Sequence, residues 1–261
     1  MQDSTQLIWI GGLASLIAGL GTGVGALGIF LLRGLSPKIE DMLLSAAAGI
    51  MLAASFFSLL LPAIEIAGEQ ADNRFVAVLI VIGGLLLGAV LLWLIHRFLP
   101  HEHFIAGAEG PAAPALRRIW LFIIAITLHN FPEGMAVGVG FAGGNMANGI
   151  SLATGIGLQN IPEGLAVAVS LMAVDTPRGR AFLVALLTGL VEPVGGLLGS
   201  AAVGLAAPLM PWTLAFAAGA MLFIISDEII PETHRGGYEQ QATFALLVGF
   251  IIMMFLDVTL G

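Results

Sequence analysis

Cysteine is absent from this chain of 261 residues, which excludes disulfides and thiolate metal ligands. Charge is scarce too. Only 10% of residues are Asp, Glu, Lys or Arg, where a soluble globular domain carries about 25%. Nine residues are Lys or Arg, and the net charge of −8 disfavours a nucleic-acid partner. The opening MQDSTQ has no basic stretch ahead of its apolar run, so a cleaved signal peptide is not expected.

What fills the chain is hydrocarbon: 58% of residues are hydrophobic. Apolar runs of about 20 residues recur from end to end, which marks a polytopic, all-α membrane protein surrounded by lipid. Hydropathy and loop signals place eight spans near 7–32, 43–67, 75–98, 118–141, 147–173, 181–205, 211–231 and 241–260. The loops are short except the third, RFLPHEHFIAGAEGPAAPALRR, and one transmembrane domain over 1–261 is expected. Arg33, Lys38, Arg97, Arg117, Arg118, Arg178, Arg180 and Arg235 fall in odd-numbered loops, and only Arg74 falls in an even one. Basic residues stay on the cytoplasmic side, so both termini are expected outside.

GVGALG (Gly23 to Gly28) matches a dinucleotide-binding pattern but lies inside an apolar helix with no preceding strand. Close helix packing is the better reading, as for the small-xxx-small pairs Gly134/Gly138 and Gly195/Gly199.

Ionisable groups inside a span are costly unless they find a partner or line a cavity. Span four carries His129, Asn130 and Glu133; span five carries Gln159, Asn160 and Glu163; span six carries Glu192. His129 and Glu133 are four residues apart and share a helix face, flanked by Asn130; Gln159, Asn160 and Glu163 repeat the arrangement. Residues 128–140 and 158–170 match at eight of thirteen positions. Like motifs on antiparallel spans imply a pseudo-twofold axis in the membrane plane, with the two faces meeting at mid-depth. Pro132, Pro162 and Pro193 lack an N–H and so free the carbonyls of Leu128, Leu158 and Gly189 beside each carboxylate. A hard or borderline divalent cation suits this mixture of carboxylate, amide and imidazole. A proton relay without metal uses similar groups, whereas purely structural hydrogen bonding has no need of buried charge.

HNFPEG in span four, QNIPEG in span five and E-P-x-G-G in span six resemble the ZIP (Zrt/Irt-like) divalent-metal transporters, most closely the prokaryotic GufA-like branch. The resemblance covers the whole chain. It implies import of Zn²⁺ and related metals as transported substrate, through a centre holding two ions, into the cytoplasm across a bacterial inner membrane. One ion would meet His129, Glu133, Gln159 and Glu163, with Met51 as a soft ligand. The other would meet Asn130, Glu133, Asn160, Glu163 and Glu192, the glutamates at 133 and 163 bridging. Some relatives have Asp where this chain has Asn160, which removes one charge from the second position. The resemblance also implies alternating access, with spans one, four, five and six moving against the rest. A homodimer is compatible with this reading.

Further acids lie near span ends. Asp227, Glu228, Glu232 and His234 would form an exit path at the cytoplasmic end of span seven, and His101 and His103 a loop metal site. Glu65, Glu69 and Asp72 would attract cations outside. An intramembrane metalloprotease would need H-E-x-x-H; the chain has H-N-F-P-E, so an enzyme is not expected. A passive metal channel or a proton-coupled carrier of another solute are the rival transport readings.

Overall fold

The computed structural model describes residues 4–32, 34–99, 101–103, 107–109, 118–173 and 176–260. Helices α1 (Ser4–Ala26), α2 (Pro37–Ala54), α3 (Leu61–Gln70), α4 (Arg74–Phe98), α5 (Arg118–Ala142), α6 (Met146–Ala173), α7 (Arg178–Gly189), α8 (Glu192–Leu205), α9 (Met210–Ile224), α10 (Ile230–Thr233) and α11 (Glu239–Leu260) follow one another along the chain. Seven helical segments among the described residues are long and apolar enough to cross a bilayer. Helix α5, with 25 residues, has the same reach, about 37 Å at 1.5 Å per residue. The architecture is thus all-α. The third loop adds a short antiparallel pair, β1 (His101–His103) with β2 (Gly107–Glu109).

Three spans depart from the single helices expected of them, each at a proline. Span two is α2 and α3 joined by a π-helical turn, Ser55–Leu60, in which the Leu61 N–H reaches back to Phe56. Span seven repeats this between α9 and α10: the Ile225–Ile229 turn is π-helical and the Ile230 N–H reaches Ile225. Pro62 and Pro231 follow directly, and a proline cannot donate to the carbonyl four residues back. For Pro62 that carbonyl is Ser58, and Asn148 Nδ2 donates to it at 3.2 Å. Span six breaks at Leu190–Val191, and Pro193 opens α8 in the first turn, where a missing N–H costs nothing.

The spans pair in parallel. Gly134 lies on the Glu192 backbone and Gly138 on Gly196, so α5 and α8 rise together; Gly195 and Gly199 return the contact against Phe131 and Met135. Gly21 and Gly25 set α1 on Gly157 and Ile161 of α6, Gly84 and Gly88 set α4 on Trp212 and Phe216 of α9, and Gly49 and Gly249 join α2 to α11. Exchanging spans one with six, two with seven, three with eight and four with five carries these pairs onto one another with direction reversed. The two π-helical turns exchange as well. This is the inverted repeat that the HNFPEG and QNIPEG motifs suggest.

Two bundles result. Helices α1, α5, α6, α7 and α8 pack mainly on one another, as do α2, α3, α4, α9 and α11. Inside each bundle, many of the glycines bring backbone onto backbone. Between bundles, the described glycines meet flexible side chains instead: Gly155 meets Met253 and Gly143 meets Met210. In the GVGALG stretch Gly25 lies against the Ile161 backbone, while Gly23 and Gly28 meet the side chains of Leu186 and Leu165.

A side chain at Gly138 has nowhere to go, because its Cβ would overlap the Gly196 backbone. Gly138→Leu should destabilise by at least the ~1–3 kcal/mol of core overpacking and lower the melting temperature in detergent. Gly34→Leu, with nothing within 4 Å of its Cβ, should leave that temperature unchanged.

Candidate metal centre

Helical spacing carries His129, Asn130 and Glu133 to one side of α5, and Gln159, Asn160 and Glu163 to one side of α6. The break between α7 and α8 adds Glu192 in the first turn of α8, where the positive end of the helix dipole favours a carboxylate. Glu133, Gln159, Asn160 and Glu192 are 0% exposed and Asn130 2%. Glu163 is half-buried. Glu133 lies in the electrostatic field of both Glu163 and Glu192 and faces Gln159 without a well-formed hydrogen bond. Glu163 also feels His129. The structure therefore brings the three acids and the amides of α5 and α6 into one neighbourhood.

The hydrogen bonds there are few and directional. Asn160 Nδ2 donates to Glu192 Oε1 at 2.7 Å and to the Ala18 carbonyl of α1 at 2.9 Å. Both oxygens of Glu133, Glu192 Oε2, Asn160 Oδ1 and Asn130 Nδ2 are buried with no hydrogen-bond partner among the described residues. A buried carboxylate without a donor or counter-charge costs several kcal/mol, and such orphans call for a cation. The oxygen-rich donor set with one imidazole suits a divalent transition metal. Met51 is fully buried in the main apolar cluster.

A second cluster adjoins the first. His129 Nε2 pairs with Glu228 Oε2, and Glu228 Oε1 lies 3.0 Å from His96 Nε2. The other ring nitrogen of His96 is 3.5 Å from Asp227, the carboxylate–histidine arrangement that orients metal-binding imidazoles. Each of His96, His129 and Glu228 offers a ligand atom within 4.8 Å of the others, a spacing that can hold a metal ion. His129 thus belongs to both clusters. Glu228 is buried, while the Asp227 side chain is 46% exposed and edges the cluster.

The remaining predicted residues fall elsewhere. Glu232 is buried in α10, and both ring nitrogens of His234 are engaged, one by the Ile230 carbonyl at 2.9 Å and one by Thr243 at 3.1 Å. His101 and His103 lie in β1, and their side chains are outside the described residues. Glu65, Glu69 and Asp72 are exposed.

Two residues escaped the sequence reading. His96 is 4% exposed within α4, a second buried intramembrane histidine. Its signal is a histidine inside the apolar run WLIHRF, masked by Arg97, which marks a span end. Asp257, near the end of α11, accepts from Ser58 at 2.6 Å. The pseudo-twofold relates spans eight and two, which carry this pair, to spans three and seven, which carry His96 and Glu228.

Fold and site together define an integral membrane protein built around a buried cation-type ligand set. The sequence model of the ZIP zinc transporter family matches residues 106–257. The chain is 47% identical over 248 residues to the zinc transporter GufA of Myxococcus xanthus, covering 95% of this chain and 98% of that protein. It is 48% identical over 252 residues to the zinc transporter ZIPB of Bordetella bronchiseptica, covering 97% and 81%. With the human zinc transporter ZIP11 it shares 35% over 321 aligned positions, covering 92% and 94%. The chain belongs to the ZIP zinc transporter family.

Loss of a ligand should weaken a metal site more than the ~10–100-fold seen for loss of an outer-shell partner. His96→Ala should therefore weaken Co²⁺ binding to the His96–His129–Glu228 cluster by at least about tenfold, read from the visible absorption of bound Co²⁺ in detergent.

Proposed function

We propose that the protein imports divalent metal ions, Zn²⁺ with Cd²⁺, Fe²⁺ and Mn²⁺ as related substrates, into the cytoplasm by alternating access. The observation that carries this reading is the set of buried carboxylate oxygens without donors around Glu133 and Glu192. Relatives across the full length of the chain are named zinc transporters, which supports a transport role rather than an enzymatic one.

The primary ion meets Glu133 and Glu163, which bridge α5 and α6, with His129 and Gln159 completing the set. Met51 is a soft ligand in the same reading. Beside it lie Asn130, Asn160 and Glu192, where the family resemblance implies a second, weaker position shared with the bridging glutamates. Passage inward runs through His129, whose imidazole pairs with Glu228 and lies in the electrostatic field of Glu163. Swinging that ring hands the ion from the Glu133–Glu163 pair to Glu228 and His96, and then to the half-exposed Asp227.

Burial favours a carrier over a passive channel. The core ligands other than Glu163 and His129 are at most 2% exposed, so an ion there is closed off and needs a rearrangement to leave. The bundle of α1, α5, α6, α7 and α8 is the body that shifts, and the methionine-lined contacts between bundles favour sliding. The excess of Lys and Arg in odd loops supports an orientation with Asp227 and Glu228 toward the cytoplasmic side and both termini outside.

In proteoliposomes, Zn²⁺ uptake should saturate and be inhibited by Cd²⁺, Fe²⁺ or Mn²⁺. Glu133→Ala and Glu163→Ala should each reduce it by more than about a hundredfold, since a missing carboxylate removes a bridging ligand. Uptake that rises linearly with concentration would favour a channel, and wild-type flux in both variants would refute the site.

A further inference from the structure

The side chain of Asn160 is held in one orientation. Its amide nitrogen has two hydrogens, and both are committed, one to the Ala18 carbonyl of α1 and one to Glu192 Oε1 of α8. A flipped amide would turn its oxygen toward two acceptors, so the environment fixes which atom is which. Asn160 therefore ties three helices together at the heart of the site. It also gives Glu192 what a cation would otherwise supply, a positively polarised partner at hydrogen-bond distance.

Charge counting makes this arrangement consequential. The acids at 133, 163 and 192 contribute about −3. One divalent ion leaves about −1 and two leave about +1, so charge alone gives no reason to load a second ion. The hydrogen bond to Glu192 then weighs against a second ion: it occupies Oε1 and draws on that carboxylate's charge, leaving Glu192 Oε2 and the neutral Asn160 Oδ1 as the unpartnered oxygens there. An aspartate at 160 reverses both terms. It has no N–H for Glu192 or Ala18, and it raises the total to about −4, which two divalent ions neutralise.

We propose that Asn160 stands in for a second metal ion, so that this chain carries one ion per cycle at the Glu133–Glu163 position. Asn160 is thus a stoichiometry-setting residue of the transport site. The proposal rests on the metal-carrying reading above.

The test counts bound metal directly. Full-length protein in detergent is dialysed to equilibrium against Zn²⁺ alone, and zinc per chain is measured by mass spectrometry. The Glu133→Ala/Glu163→Ala double variant serves as the baseline, so ions held by the His96 cluster or the surface cancel. Wild type should exceed this baseline by about one ion per chain and Asn160→Asp by about two. A wild-type excess of two ions of similar affinity overturns the proposal, whatever Asn160→Asp does and even if that variant fails to fold. A folded Asn160→Asp with an excess of one also overturns it. A wild-type excess of zero instead refutes the metal-carrying reading itself.

Discussion

Buried negative charge governs this molecule. Glu133, Glu163 and Glu192 come together near the middle of their spans, two of them with no solvent exposure, and buried like charges repel strongly where the dielectric is low. Glu133 and Glu192 are shut off from solvent, and few donors among the described residues point at them. One amide, that of Asn160, attends Glu192, and one imidazole, that of His129, stands near Glu163. In the proposed function a divalent cation would resolve the conflict with a few strong bonds and could leave again, which a lysine or arginine could not do. The acids are expensive to bury without a counter-charge, and transport would exploit that cost.

The rest of the fold serves this constraint. Pro132 and Pro162 each remove a hydrogen bond inside α5 and α6 beside their acids, and the break ahead of α8 delivers Glu192 at a helix N-terminus. Glycines let α1, α5, α6 and α8 approach until their backbones touch, so the ligands sit on a rigid frame. The neighbouring bundle is held differently. Met253 and Met210 meet Gly155 and Gly143 of the first, and polar links among the described residues include Asn148 to the Ser58 carbonyl, His129 to Glu228, and Ser170 to Glu40 over a long 3.4 Å. Each link joins two groups that can re-form bonds with water or metal. Rigid bodies joined by soft contacts are what a carrier needs.

Much of this was legible in the chain. Apolar runs marked the spans, and four-residue spacing put His129 with Glu133, because helix periodicity needs no tertiary knowledge. Two copies of one motif on opposed spans revealed the inverted repeat. Other features depend on partners that hydropathy does not see. The π-helical turns after Ala54 and Ile224 arise because Pro62 and Pro231 disrupt the ladder while the span continues, and a proline pattern alone does not distinguish a bulge from a kink. His96 looked like a span end and became a site residue only when α4 packed beside α9 and the turn bearing Glu228. Asn160 read as a weakened ligand; its two hydrogen bonds, to residues 142 and 32 positions away, give it a different task.

The central claim is that a transported metal ion compensates the carboxylates between α5 and α6. Anomalous scattering at the zinc absorption edge, from crystals of the full chain grown with Zn²⁺, tests this most directly. The expected result is a strong peak at ligand distance from Glu133 and Glu163. A peak confined to the His96–Glu228 cluster or the protein surface, with none between those two glutamates, would contradict it.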